Sequence, residues 1–253
     1  TQSRSSAASD VYKRQQNRSM GIPTRDIIEC AVQSLGLNDV SSFDPYEKII
    51  DYAVLNDEEL KKDLMFDKEF LEELSTNSPA PGGGSVAALS GSLGASLSSM
   101  VAALTHEKKE MLKSKPLMDE IGTEAQSLKD RLFDLIEEDT KAFNSVIAAM
   151  RLPQNTKEEK VFRDTALQTA NKYAIEIPME TAEKCFRVMK LSEKLVENGN
   201  PNSVSDAGVA AEVALAGLRG AGMNVMINLS GLKDSSYGKD IQNKVNELIN
   251  KAE

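Results

Sequence analysis

Asp139 interrupts an apolar stripe. Leu128, Leu132, Leu135, Phe143, Val146 and Met150 recur at helical spacing over residues 117–151, and the member missing from the 4-3-4 rhythm falls at position 139. Glu137 and Glu138 point to more polar faces shared with Arg131, Asp134 and Lys141. A carboxylate in an apolar seam is costly unless it is paired, hydrogen-bonded or protonated. Burial raises its pKa toward the range useful for proton transfer near neutral pH. The same spacing suits a structural salt bridge to a Lys or Arg on a facing helix, and periodicity alone does not choose between the two.

Two loops could hold a ligand beside such a group. Pro81-Gly82-Gly83-Gly84-Ser85 lies directly before an apolar helical run. Its glycines remove every Cβ where the chain enters the helix, so a ligand can approach free N–H groups at the positive end of the helix dipole. No Gly-Lys-Ser/Thr closes the loop, so it is not a nucleotide P-loop. Alone, a triple glycine more often marks a linker or a tight helix entry. The second loop, Asn200-Pro201-Asn202-Ser203-Val204-Ser205-Asp206, offers amides able to read a heterocycle edge, with Ser205 or Asp206 suited to cap the next helix. By itself it reads first as a capped loop. Asn224 and Asn228, spaced i, i+4 among small apolar residues, are either polar glue between helices or pocket liners.

The rest of the inventory restricts the chemistry. A single histidine, His106, makes a Ser-His-Asp triad or a multi-histidine metal site improbable. Cys30 and Cys185 are too few for a disulfide framework or a thiolate zinc site. His106 itself sits at the charged end of a helix, where a cation suits the dipole, and is read as structural. Carboxylates, backbone amides, hydroxyls and amines remain. With 30 Lys and Arg against 39 Asp and Glu, the net charge of −9 argues against nucleic acid as a partner. Aromatics at 5 %, without Trp, argue against base-stacking platforms.

These residues must be positioned by helices. Apolar residues recur at i, i+3, i+4, without period-2 runs, and predict helices near 24–35, 57–76, 85–110, 117–151, 156–198, 205–229 and 238–252. Thr156 and Glu159 form a capping box at the start of the fifth, and Pro178 should kink or divide it. The expected fold class is all-α, a multihelical array of long helices joined by short loops. Val86 to Leu104 is uncharged for 19 residues, long enough for a membrane span. Its five serines and two glycines favour instead a close-packed helix of a cytoplasmic, soluble protein without a membrane span. Residues 1–19 lack the apolar core of a secretory signal. Residues 1–15 are foreign in composition to the rest of the chain and are read as a non-native or disordered tail. Residues 16–56 are too few for a core of their own, and the self-sufficient unit spans 57–253.

Four blocks carry a family resemblance. They are Ser-Pro-Ala-Pro-Gly-Gly-Gly-Ser-Val-Ala-Ala at 78–88, Glu-Asp-Thr-Lys-Ala-Phe at 138–143, Met-Arg-Leu-Pro-Gln-Asn-Thr-Lys-Glu-Glu-Lys at 150–160 and Gly-Asn-Pro-Asn-Ser-Val-Ser-Asp-Ala-Gly at 199–208. In this order and at these separations they resemble the formimidoyltetrahydrofolate cyclodeaminase family, whose simpler relatives are methenyltetrahydrofolate cyclohydrolases. Residues 21–37 and 42–52 are similar to the end of a glutamate formimidoyltransferase, the domain that precedes the cyclodeaminase in the fused enzyme. The resemblance thus makes 16–56 a transferase remnant and linker.

The resemblance implies conversion of 5-formimidoyltetrahydrofolate to 5,10-methenyltetrahydrofolate and ammonia, within one-carbon folate metabolism and histidine degradation. Asp139 matches the family's catalytic aspartate and would shuttle a proton between the attacking and departing nitrogens. Gly82, Gly83, Gly84 and Ser85, with Asn200, Asn202, Ser203 and Asp206, match pocket-forming segments. An anionic glutamate or polyglutamate tail would need local cations, for which Lys108, Lys109 and Arg151 are candidates. Gln154 stands where the animal enzyme has lysine. No metal or other cofactor is required beyond the folate substrate. A homodimer or higher homo-oligomer is implied, with an upstream transferase domain in the intact protein. Two alternatives stand beside this expectation. One is a cyclohydrolase that opens the methenyl bridge with water, and the other is a non-catalytic helical oligomerisation module.

Overall fold

The computed structural model describes residues 24–39, 42–44, 48 and 68–252. The 1–15 tail, the boundary near 56 and the first part of the helix expected at 57–76 lie outside the described residues. Among those described, every regular element is helical, as the all-α expectation requires. The helices are α1 (Thr24–Ser34), α2 (Lys68–Leu74), α3 (Gly83–His106), α4 (Lys115–Met150), α5 (Lys157–Asn198), α6 (Val204–Leu229) and α7 (Ser235–Ala252). Short 3-10 turns occupy Leu37–Asp39, Lys109–Ser114 and Pro201–Ser203.

α3 to α6 form an up-down-up-down bundle. The pairing of side chains sets the directions. Ser92 Oγ donates to Lys129 O and the His106 imidazole meets Asp119 at 3.1 Å, so α4 runs antiparallel to α3. Arg131 to Glu180 and Arg187 to Glu124 do the same for α4 and α5. Asn228 to Ala174 and Asn171 to Gly231 do so for α5 and α6. The Thr156–Glu159 capping box is present in both directions, with Glu159 N–H donating to Thr156 Oγ1 at 3.1 Å.

Small residues explain why α3 sits at the centre. A Cβ at Gly94 would lie 2.8 Å from the Ala210 carbonyl, and one at Gly217 would lie 2.8 Å from the Ala87 carbonyl. The backbones of α3 and α6 therefore approach more closely than any larger residue allows. Cys185 seals the same crossing from α5, fully buried, and burial pushes its thiol up to about 12. The serines that lower the hydropathy of α3 find partners within the bundle. Ser98 bonds the Gly94 carbonyl and meets Ser192 at 3.1 Å, while Ser99 accepts from Gln126 at 2.9 Å. The helix is long and apolar enough by composition to cross a membrane. Its small-residue face is instead packed into α4, α5 and α6.

Three expectations are corrected. Pro178 does not divide α5, which runs unbroken over 42 residues. Ile175, Ile177, Met179 and Ala182 around it are buried, and that packing outweighs a local cost of about 3 kcal/mol. α3 ends at His106 rather than 110, because Lys108 turns into extended backbone. The stripe on α4 also stops short of Met150, which is 50 % exposed. The last turns of α4 and the first of α5 reach past the start of α3 and leave Met150, Val161 and Phe162 uncovered.

Close packing at Gly217 and open space at Gly208 predict opposite signs for two glycine substitutions. Gly217→Ala should lower stability by about 1–3 kcal/mol through overpacking. Gly208→Ala, where a Cβ meets nothing within 4 Å, should raise it by roughly 0.5–1 kcal/mol through helix propensity. Thermal unfolding of the two variants checks both signs.

Candidate active site at the start of helix α3

α3 begins without a cap of its own. Its N-cap residue is Gly82, which has no side chain to offer the free N–H groups of the first turn. Asp139, in the middle of α4, takes that role from across the bundle. Ser85 Oγ donates to Asp139 Oδ2 at 2.9 Å, and the Ser85 backbone N–H also donates to this carboxylate. The approach requires glycine at one position above all. A Cβ at Gly84 would lie 2.1 Å from Asp139 Oδ1.

The three consecutive acids of α4 have separate fates. Glu137 pairs with Lys141 in solvent at 2.8 Å. Glu138 and Glu180 share the Arg131 guanidinium, which also holds the Glu180 carboxyl below its ordinary range. Asp139 has no cationic partner among the described residues, so the salt-bridge alternative left open by periodicity is not what these residues form. Burial raises the Asp139 pKa, and the two Ser85 hydrogen bonds oppose this without reversing it. The result is a half-buried carboxyl, able to hold or release a proton, facing a helix start stripped of side chains.

The expected site residues divide into two groups. Gly82, Gly83, Gly84, Ser85 and Asp139 come together at the start of α3. Lys108, Asn200, Asn202, Ser203 and Asp206 are at the other end. The Asn200 N–H donates to Thr105 Oγ1 at 2.9 Å, and Thr105 is 20 residues along α3 from Ser85, about 30 Å at 1.5 Å per residue. Within one chain the two loops do not line one cleft. The cap of α6 is also corrected. The helix starts at Val204, so Ser205 and Asp206 fall in its first turn, and the Asn200 side chain instead closes the 3-10 turn by accepting from Asn202 N–H at 3.1 Å. His106, read from the sequence as structural, lies 3.1 Å from the Asp119 carboxylate.

For one neighbour of the glycine turn the sequence leaves open a choice between helix glue and pocket liner. Asn224 on α6 lies against Gly83, whose Cβ would sit 3.5 Å from Asn224 Nδ2. The i, i+4 spacing with Asn228 was the only signal for it. The link between Ser85 and Asp139 spans 54 positions and left no local signal.

The raised Asp139 pKa has a consequence for stability. A group whose pKa is higher folded than unfolded favours the folded state fully below its unfolded value, ordinarily 3.8, and loses that contribution as pH rises through the folded value. At pH 8 the ionised carboxyl is a burden, so Asp139→Asn should unfold at an equal or higher temperature than the wild type. That advantage should shrink as pH falls from 8 toward 4.5. Melting curves across this range check the trend, and an advantage that grows on acidification would contradict it.

Comparison with known proteins agrees with this architecture. The family model described as Formiminotransferase-cyclodeaminase matches residues 67–247, and the one described as Formiminotransferase domain matches residues 4–55. A methenyltetrahydrofolate cyclohydrolase of Methylorubrum extorquens is 39 % identical over 183 residues, covering 72 % of this chain and 88 % of its own length. The formimidoyltransferase-cyclodeaminase of Rattus norvegicus is 33 % identical over 227 residues, covering 89 % of this chain and 42 % of its own length. The chain thus spans less than half of that two-function relative. The crystal structure of formiminotetrahydrofolate cyclodeaminase from Thermotoga maritima superposes with a TM-score of 0.67 at 30 % identity, covering 75 % of this chain and 90 % of that one. The matched span takes in the glycine turn, Asp139 and the whole helical bundle, and the chain belongs to the formiminotransferase-cyclodeaminase family of enzymes.

Proposed function

We propose that this chain converts 5-formimidoyltetrahydrofolate to 5,10-methenyltetrahydrofolate and ammonia, with Asp139 as the proton shuttle. The observation that carries this reading is a carboxyl with a raised pKa, without a cationic partner among the described residues, set against a helix start whose first residue, Gly83, is exposed. In the reaction N10 of the folate attacks the amidine carbon attached to N5. The N10 proton must leave, and the amine must gain a proton before the C–N bond breaks and ammonia departs. One carboxyl placed between these nitrogens can accept the first proton and deliver the second. Holding N10 against the amidine supplies the proximity term. The chemistry calls for no metal or redox cofactor. The match at 4–55 supports an upstream formimidoyltransferase domain in the intact protein, of which residues 16–56 are read as the end.

A homodimer fits this reading. Leu93, Met100 and Leu104 on α3, with Val209, Met223 and Ile227 on α6, are exposed apolar side chains on helices whose opposite faces form the core. A second copy packed there about a two-fold axis, with its α3 antiparallel to this one, would exchange the two ends of the helix. The partner's 200–206 loop and Lys108 would then come toward Asp139 and reunite the two groups that one chain keeps about 30 Å apart. Cyclohydrolase activity is the second reading, favoured by the 39 % identity to the Methylorubrum extorquens protein.

One set of assays tests these points. The full chain given 5-formimidoyltetrahydrofolate should release ammonia as methenyl absorbance grows, and Asp139→Asn should lose at least about 100-fold in kcat. Asn202→Ala should also be impaired, and mixing the two variants should restore about a quarter of wild-type activity if each site draws on both copies. Equal activity of wild type and Asp139→Asn would overturn the aspartate role. Loss of absorbance from added methenyltetrahydrofolate, without any ammonia release from the formimidoyl substrate, would instead establish the cyclohydrolase.

A further inference from the structure

Asn224 and Asn228 look equivalent in the sequence and are not equivalent in the fold. Asn228 donates to the Ala174 carbonyl of α5 at 2.6 Å and ties two helices together. Among the described residues Asn224 makes a hydrogen bond only within its own helix, from Nδ2 to the Gly220 carbonyl at 2.9 Å. An amide has two N–H donors and a carbonyl acceptor. One donor of Asn224 is used, so a second N–H and Oδ1 have no partner among the described residues. This amide lies against Gly83, with Nδ2 at 3.5 Å and Oδ1 at 3.9 Å from the Cβ position there. Asp139 lies against the next residue, Gly84, from the α4 side.

The carboxyl and the amide therefore flank the same glycine turn, one from α4 and the other from α6. The 3.8 Å spacing of consecutive Cα atoms limits their separation to about 13 Å. Both are half-buried, so a ligand can reach them. The free N–H and Oδ1 of a primary amide form a donor–acceptor pair that matches a lactam, whose carbonyl accepts and whose ring N–H donates. The reduced pterin of the folate substrate carries such a lactam on its pyrimidine ring, with the reacting N5 on the fused ring beside the lactam carbonyl.

We propose that Asn224 reads the lactam edge of the pterin, holding the ring against the exposed Gly83 so that the reacting nitrogens face Asp139. The inference rests on the folate reading above. It adds a substrate-contacting residue on α6 to a site otherwise built from α3 and α4. Asn224 sets the orientation of the ring and takes no part in proton transfer.

Equilibrium titration of the full chain with 5-formyltetrahydrofolate and, separately, with p-aminobenzoyl-glutamate, which lacks the pterin, tests this assignment. Asn224→Ala and Asn224→Asp should each weaken binding of the formyl folate by about tenfold or more, because both lose the donor–acceptor pair. Binding of p-aminobenzoyl-glutamate should not change. In the ammonia-release assay the same variants should raise KM with kcat little altered, whereas Asp139→Asn lowers kcat. Unchanged folate affinity in both variants, in protein that melts cooperatively, would overturn the inference and leave Asn224 as helix glue while the folate reading stands. Equal weakening of both ligands would also overturn it, since a loss of packing does not discriminate the pterin. A wild-type chain that binds no folate would overturn the inference together with the reading beneath it.

Discussion

The first turn of α3 depends on a carboxylate supplied by another helix. Gly82, Gly83 and Gly84 leave the free N–H groups of that turn without a side-chain cap, and Asp139 of α4 answers them through Ser85. The contact cannot slide. A Cβ at Gly84 would collide with the carboxylate, and a shift of α4 by one residue would rotate Asp139 by about 100° away from α3. The register between α3 and α4 is thus fixed at the same point where the candidate chemistry lies. Further along, Ser92 and Gln126 hold that register, and the His106–Asp119 contact closes it at the far end.

The same contact sets the balance that makes the carboxyl useful. Burial alone would drive Asp139 toward its neutral form, and the hydrogen bonds of a helix start alone would drive it toward the anion. Burial prevails while Ser85 remains. The direction of that shift is the one that the proposed proton shuttle calls for. The neighbouring Glu137 and Glu138 are engaged elsewhere, in ion pairs with Lys141 and Arg131.

Much of this was legible in the sequence, and what was not has a physical reason. Helical periodicity located the long elements because each buries one face, and Thr156 with Glu159 announced a helix start through purely local bonds. Asp139 was visible as a polar residue in an apolar stripe. Its partner was not, because Ser85 is 54 positions away and only packing brings them together. The place of the 200–206 loop, which the resemblance matches to a pocket-forming segment, was not legible. Motif order does not tell which end of a helix a loop will meet, and Thr105 holds this one at the far end. Pro178 stays within one continuous helix because the burial of the residues around it outweighs its local cost. Met150 misled because a stripe shows which face is apolar and not how far a neighbouring helix extends to cover it.

Asp139 is central as a carboxyl raised in pKa by burial while it caps α3. Its own titration tests this most directly, followed through the side-chain carboxyl carbon by nuclear magnetic resonance and assigned by comparison with Asp139→Asn. The account predicts a midpoint above the ordinary aspartate value of 3.8 and a further rise in Ser85→Ala, which removes the hydroxyl bond that favours the anion. A midpoint at or below 3.8 would contradict it and would leave Asp139 as a helix cap alone.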